Sequence, residues 1–589
     1  MKDIIELRRV WPYLKNYKGQ FFMGIAMILL IVITGGLEPF ILGFAITEIG
    51  NNIVDIVQGV PGATMNYPYI IRIMLIYGAR GLLNMVGRYF TTYFISGVVQ
   101  KSMFDLRNDM SNKMNRLPLA YFDGHKTGDI LSRVTSDIES VSNFLTQSFA
   151  PTITGLLQIL FSIGMILFIR PQIIVIIVVM MAMMLIYSRL IIQWGQPIWK
   201  EQASALGNLF ALSQEHLSGF TEMKVYSQEE ESLQQFKDLN AQLSRSSAEA
   251  SFRSGLVMPG TRFIADAAYA LVALVSGWQV ILGVVTLGNL QALVQYVAQI
   301  NQAISQMTQM SGMMQSAGAA SARVFELLDQ KEEDITNETD KLPEKVKGEV
   351  VFDHVKFGYS TEDILMNDIN FKVKPGATVA IVGPTGAGKT TLINLLLRFY
   401  DVLDGAIHID GVNISNISRQ NLREHMGLVL QDTWLFQDTI AENIRFGDKN
   451  ASKEEILKAA EIANVDHFVR TLPDGYEEII DPDGDGISQG QRQLLTIARA
   501  IISDPDILIL DEATSSVDTR LEQLIQSAMD RVMEGRTSFV IAHRLSTIRN
   551  ADLILVMDQG TIIETGNHDE LIEKDGFYAD LYQSQFENN

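Results

Sequence analysis

The segment Gly383-Pro384-Thr385-Gly386-Ala387-Gly388-Lys389-Thr390 reads G-x-x-x-x-G-K-[ST]. In that pattern backbone N–H groups curl around phosphates and a lysine meets the outer two. The glycines keep Cβ atoms out of the curl. Lys389 then supplies a cation for the β- and γ-phosphates, and the Thr390 hydroxyl is placed to hold Mg²⁺. Farther along, the apolar run 507–510 ends in Asp511-Glu512. A buried strand that carries an aspartate to the end of a parallel sheet is a second Mg²⁺ ligand, and Glu512 stands where a carboxylate polarises an attacking water. Either pattern alone is weak. Together they point to hydrolysis of ATP with Mg²⁺.

Such chemistry needs a strand before the loop, expected at 379–382, and a helix after it, expected at 391–399. Both lie in a soluble α/β segment, 349–589, which follows a charged, apolar-poor linker at 329–348. Residues 1–328 have a different character. Six apolar stretches, at 21–42, 69–99, 149–169, 173–192, 265–282 and 287–310, are long enough to cross a bilayer, which takes about 20 helical residues. Lys2, Arg8, Arg9, Lys15 and Lys18 precede the first, and no Lys or Arg follows until Arg72. By the positive-inside rule the N-terminus is cytoplasmic. The inner segments 100–147 and 193–262 then read as helices that run on beyond the bilayer. The expected fold is therefore a six-helix, all-α transmembrane domain extended into the cytoplasm, followed by an α/β P-loop ATPase domain.

Composition removes several alternatives. Of 589 residues, 47 are Lys or Arg and 68 are Asp or Glu, a net charge of −21. So acidic a chain repels phosphate backbones, which argues against nucleic acid as a partner. There is no Cys, so disulfides, thiolate metal sites and thiol catalysis are excluded. Within the spans, Gln291, Gln295, Gln299, Gln302, Gln306 and Gln309 recur at spacings of three and four, on one helical face. The stripe is expected to line a substrate pathway, with Gln295, Gln299 and Gln302 at its centre; the alternative is hydrogen-bonded glue between helices. Glu38, Arg80, Arg88 and Asp266 are also embedded, with interhelical charge pairing the expectation for Arg80. The run Met180, Met181, Met183 and Met184 reads as lipid-facing packing rather than an adaptable binding surface.

These residues together resemble the ATP-binding cassette (ABC) transporters of the exporter type, over essentially the whole chain. Ile487-Ser488-Gln489-Gly490-Gln491 is similar to that family's L-S-G-G-Q signature, which caps the nucleotide of a partner domain. The resemblance implies that Ser488, Gly490, Gln491 and Asp518 reach across a dimer. It also implies that Tyr359 stacks on adenine, although a core strand tyrosine is the alternative. Gln431 in LVLQD matches the glutamine near Mg²⁺ and the attacking water, and His543 in IAHR matches the histidine at the γ-phosphate. The segments around YFDGHKTGDILSRV and EHLSGFTEMKVYSQEEE look like intracellular loops whose turns dock on the ATPase domains.

One membrane domain with one ATPase domain is half of such a transporter, so a second half is implied. Two departures stand out: Gln489 replaces the signature's first glycine, and Pro482 falls where a glutamate is expected. With Glu512 and His543 intact, this asymmetry resembles one subunit of a heterodimeric exporter; a homodimer that tolerates Gln489 is the alternative. The expected activity is ATP-driven efflux of amphipathic or hydrophobic small molecules across the plasma membrane by alternating access, with the ATPase domain cytoplasmic. A lipid or glycolipid flippase shares every motif. A non-transport ATPase is disfavoured by the spans, and an ATP-gated channel by the lack of a basic pore stripe.

Overall fold

The computed structural model describes residues 6–333, 340–360, 363–431, 433–481, 486–511, 519–542 and 545–583. The chain divides into two compact units, one of Met1–Asn115 with Thr127–Gln330, the other of Arg116–Lys126 with Lys331–Asn589.

The first unit is helical. Among the described residues, five helical segments are long and apolar enough to cross a membrane: Lys18–Val57, Tyr67–Met114, Thr127–Ile169, Pro171–Ser218 and Glu229–Ile281. A sixth long helix, Leu287–Leu328, contains the glutamine stripe, which dilutes its apolar character. At 1.5 Å per residue the 48-residue second helix is about 72 Å long, more than twice a hydrocarbon core of about 30 Å. The expected spans thus sit inside longer rods. Local signals set the ends: the Asn66 side chain accepts from the Tyr69 N–H at 3.3 Å, and Thr286 caps the sixth helix by accepting from Asn289 at 3.2 Å. Side-chain acceptors there satisfy N–H groups that the helix leaves unpaired.

Close approach between the first and sixth helices depends on glycine. A Cβ on Gly288 would lie 1.7 Å from the Gly43 carbonyl oxygen. The buried Tyr296 hydroxyl donates to the Gly36 carbonyl at 2.8 Å along the same seam. Met180 and Met184 are buried in one core with Val272 and Tyr296, whereas Met183 is exposed, so the methionine run divides between core packing and the outer surface. Leu75, Leu185 and Ile281 face outward, as suits a hydrocarbon solvent.

The second unit is built on two sheets. Strands β1 (Val350–Phe357), β2 (Met366–Val373), β4 (Asp404–Ile409) and β5 (Val412–Asn413) form an antiparallel sheet in the order β2-β1-β4-β5. Strands β3 (Thr378–Val382), β6 (Met426–Val429), β7 (Ile507–Asp511), β8 (Thr537–Ile541), β9 (Leu553–Asp558) and β10 (Thr561–Gly566) form the larger one, ordered β10-β9-β3-β8-β7-β6. From β9 to β6 its neighbours are parallel. Both faces are covered. Ile507 and Ile509 join one core, while Leu508 and Leu510 join the other. That is why the strand reads as an unbroken apolar run rather than an alternating one.

Candidate nucleotide-binding site

Parallel strands deliver their C-terminal ends to one edge of the sheet, and ligands gather there. Ile381 of β3 pairs with Ile541 of β8, and Ile541 with Asp511 of β7. Val429 of β6 pairs with Leu510, which brings the segment leading to Gln431 to the same edge. The phosphate loop, Asp511 and Gln431 are therefore brought together. Glu512, Asp518 and His543 lie outside the described residues, as does Pro482.

The loop leaves β3 at Val382 and enters the helix Lys389–Leu396. Gly388 caps that helix at φ +100°, a left-handed conformation that a side chain strains. Thr385, Gly386 and Thr390 are exposed, Gly383 and Pro384 partly so, and Ala387 is buried. Lys389 Nζ donates to the Gly383 and Pro384 carbonyls at 2.7 and 2.9 Å. It thus lies across the loop, inside the space phosphates would fill. Burial lowers its pKa below the ordinary lysine range, and nearby Asp511 partly offsets this. A phosphate ligand would raise it again, because an adjacent anion favours the charged form.

Tyr359 follows β1 and is 57% exposed, so it is not the core strand tyrosine of the alternative reading. Its hydroxyl bonds Thr391 Oγ1 at 2.9 Å, and its ring meets that of Tyr400 edge-on at 5.2 Å. The Phe357 ring meets that of Tyr359 too, at 5.1 Å and near a right angle. Tyr400 in turn donates to the Asp123 carboxylate. Asp123 ends the short helix Leu119–Asp123, whose residues group with this unit rather than with the membrane bundle.

The helix Gln489–Ile502 presents the signature at its N-terminus. The Ser488 hydroxyl accepts from the Gln491 N–H at 3.3 Å, and the Gln491 side chain accepts from the Ser488 N–H at 2.9 Å. This reciprocal pair satisfies two N–H groups at the helix start. Gly490 is buried, whereas Gln489 is exposed at the first helical position. Arg499 near the other end donates to the Asn443 and Trp434 carbonyls, which ties the helix to the loop that follows Gln431.

Two aromatics at this site carry no local sequence signal. Tyr578 and Tyr582, on the C-terminal helix Phe577–Tyr582, line a cavity of about 160 Å³ with Gly383, Thr385 and Lys389. For a metal, the described residues hold no cluster of three His, Asp or Glu side chains. Mg²⁺ does not need one, since it takes one or two protein oxygens and fills its shell with phosphates and water. The oxygens of Thr390, Asp511 and Gln431 fit that donor set.

In the membrane unit the glutamine stripe divides. Gln291 donates to Gln295 at 2.5 Å. Gln299 accepts from Gln158 at 3.0 Å and donates to the Gly35 carbonyl at 3.3 Å, binding three helices together, and it also borders a cavity of about 220 Å³. Gln302 is exposed and lines three cavities of about 700, 220 and 530 Å³. Gln306 borders the two smaller ones, and the side chain of Gln309 lies outside the described residues. Arg80 pairs with Glu38 at 3.0 Å, as its embedding predicts.

Comparison with known proteins agrees with both halves. Residues 21–304 match the ABC transporter transmembrane region, and residues 366–515 match the ABC transporter family. The chain is 44% identical over 534 residues to a fatty acid ABC transporter ATP-binding/permease protein of Mycobacterium bovis, covering 90% of this chain and 84% of that one. It is 32% identical over 587 residues to a putative multidrug export ATP-binding/permease protein of Bacillus subtilis (98% and 99%). It is 36% identical over 511 residues to an ATP-dependent lipid A-core flippase of Saccharophagus degradans (86% and 85%). A phosphate loop at the edge of a parallel sheet, a signature helix and a polar-lined helical bundle thus lie in one chain that belongs to the ABC transporters, as a multi-pass membrane protein of exporter architecture whose ATPase domain powers transport.

Proposed function

We propose that the protein exports amphipathic or hydrophobic compounds across the plasma membrane by alternating access, as one half of a dimer. The observation that carries this reading is Gln302, a polar side chain that opens into cavities among the membrane helices. A polar residue is costly in lipid unless it faces water or a ligand. The membrane domain is residues 1–328, crossing six times, and the ATPase domain is 349–589, on the cytoplasmic side.

In the working cycle, ATP sits between the phosphate loop of one half and the Ser488–Gln491 signature of the other. Lys389 holds the outer phosphates, Tyr359 stacks on the base, and Glu512 orients the attacking water with His543 and Gln431 beside it. Asp518 reaches across the dimer. Mg²⁺ held by Thr390, Asp511 and Gln431 would neutralise charge on the phosphates. Two bound nucleotides favour the closed domain pair, and several kcal/mol of such preference moves a two-state equilibrium nearly completely. Contacts such as Tyr400 with Asp123 carry that movement into the helices. The exposed Phe220, Val225 and Tyr226 of the second inner turn are the matching dock for the partner's ATPase domain.

A second reading, outward flipping of lipids, has specific support in relatives named for fatty acid transport and lipid A-core flipping. Reconstitution into vesicles separates the two. ATP-dependent movement of a fluorescent amphiphilic drug supports efflux; movement of labelled lipid alone supports the flippase. Neither, with ATP hydrolysis intact, would remove both.

A further inference from the structure

Arg88 is a charged side chain of the bundle that the transport reading leaves unexplained. It lies on the second long helix, Tyr67–Met114, and borders both smaller cavities. Among the described residues it forms no ion pair, and its one hydrogen bond is from Nε to Asn84 Oδ1 at 3.0 Å. Arg80, two turns earlier, is its counterpart: it is neutralised by Glu38, which also accepts from Tyr77 at 2.8 Å. The one carboxylate on the wall of these cavities is therefore already balanced, and Arg88 leaves them with an excess of one positive charge.

The guanidinium is also oriented. Asn84 Nδ2 donates to the Ile31 carbonyl at 3.1 Å and to Thr34 Oγ1 at 2.9 Å. These bonds fix the amide so that its oxygen receives Nε, and they leave both terminal nitrogens of Arg88 free. An arginine held by one edge in this way presents its remaining N–H groups as a fork that matches a carboxylate or phosphate oxygen pair. Gln302 and Gln306 line the same two cavities, and the larger also has Ile31, Ile95 and Pro151 on its wall. An unpaired charge at membrane depth is costly, so a structural arginine would be expected to carry a carboxylate partner, as Arg80 does.

We infer that Arg88 is the head-group anchor of an anionic amphiphile, with a single negative charge bound by its free fork and the Gln302 and Gln306 side chains. The apolar tail lies along the Ile31–Ile95 wall. One guanidinium matches one negative charge; a dianion would leave charge uncompensated in a low dielectric. The inference rests on the amphiphile-transport reading and narrows its substrate class.

The natively assembled transporter, in phosphatidylcholine nanodiscs, tests it by stimulation of ATP hydrolysis. Oleate is compared with its neutral isostere oleamide, and phosphatidylglycerol with diacylglycerol. Oleate should half-saturate at least tenfold below oleamide, or phosphatidylglycerol below diacylglycerol; which pair responds identifies whether a free or a glycerol-linked chain is carried. Arg88→Gln should erase that preference while the response to the neutral member of the pair remains as its folding control, and Arg88→Lys should restore part of it. Equal response of the unaltered protein to charged and neutral members overturns the anion site, with no variant required. So does a preference that survives Arg88→Gln. Silence towards all four amphiphiles, with ATP hydrolysis intact, instead overturns the transport reading and this inference with it.

Discussion

The two working regions of this chain store their chemistry in opposite ways. At the sheet edge, the key groups are contiguous in sequence: eight residues make the phosphate loop, and one strand ends in Asp511. In the bundle, the polar groups are spread over helices far apart in the chain, and Gln299 meets Gly35 and Gln158 only after folding. The difference follows from the ligands. Triphosphate is small, highly charged and fixed in geometry, so backbone N–H groups of one loop can encircle it. The amphiphile proposed as substrate is large and loosely defined, so several helices would share its recognition.

The sharpest test of the concentrated site is Glu512→Gln. Turnover should fall by at least a hundredfold while nucleotide affinity stays within a few-fold, because only the orientation of water is lost. Steady-state hydrolysis and equilibrium binding of a fluorescent ATP analogue measure the two separately. Turnover within a factor of two would remove Glu512 from the chemistry. Lys389→Ala should do the reverse. It deletes one charge-assisted contact, of about 1.5–3 kcal/mol, so affinity should weaken roughly tenfold to a hundredfold. Unchanged binding would mean that the bonds of Lys389 to its own loop carbonyls persist in the complex.

The same contrast explains what could be read from the chain before folding. The phosphate loop, the strand before it and the signature helix were all legible, because each requires particular residues at fixed spacing. That Arg80 would be paired was legible too, since a buried charge in lipid needs a partner; that Glu38 is the partner was not. Periodicity put six glutamines on one face but said nothing of what faces each turn. Gln295 therefore ends beside Gln291, Gln299 ties helices at the edge of one cavity, and Gln302 opens to three. Tyr578 and Tyr582 reach the phosphate loop from the far end of the chain, a proximity that no local pattern encodes. Asn84, which orients Arg88, resembled any polar residue of a long helix until its three hydrogen bonds were on view.

That division of the stripe gives a smaller but discriminating effect. Because the chain has no native Cys, Gln302→Cys and Gln295→Cys can be compared on a clean background. Gln302→Cys should react with a water-soluble maleimide several-fold faster than Gln295→Cys, and trapping with ATP and vanadate should slow it. Equal rates at the two positions would mean that the stripe acts as one surface, and that the half-buried setting of position 295 does not shield it.

The smallest expected effect concerns Gln489, where the concentrated site departs from its family's pattern. The helix start is already satisfied: Ser488 and Gln491 cap each other, and Gln489 is exposed at the first turn with no capping role. Replacing it by Gly should therefore cost little stability; its effect falls on the nucleotide held by the partner. If that partner carries a complete signature and lacks the catalytic glutamate, this chain's own site turns over and the partner's mainly holds ATP. Gln489→Gly then repairs the cap of a site that still has no base, and hydrolysis by the native complex should change by less than about threefold, a free-energy difference below about 0.7 kcal/mol. In a homodimer both caps are altered and both sites have Glu512, so the same substitution acts on every turnover and should raise the rate well beyond that. The measurement is steady-state hydrolysis by the purified native complex, with its subunits identified by mass spectrometry. Full, substrate-stimulated hydrolysis by this chain expressed alone would exclude the asymmetric pair.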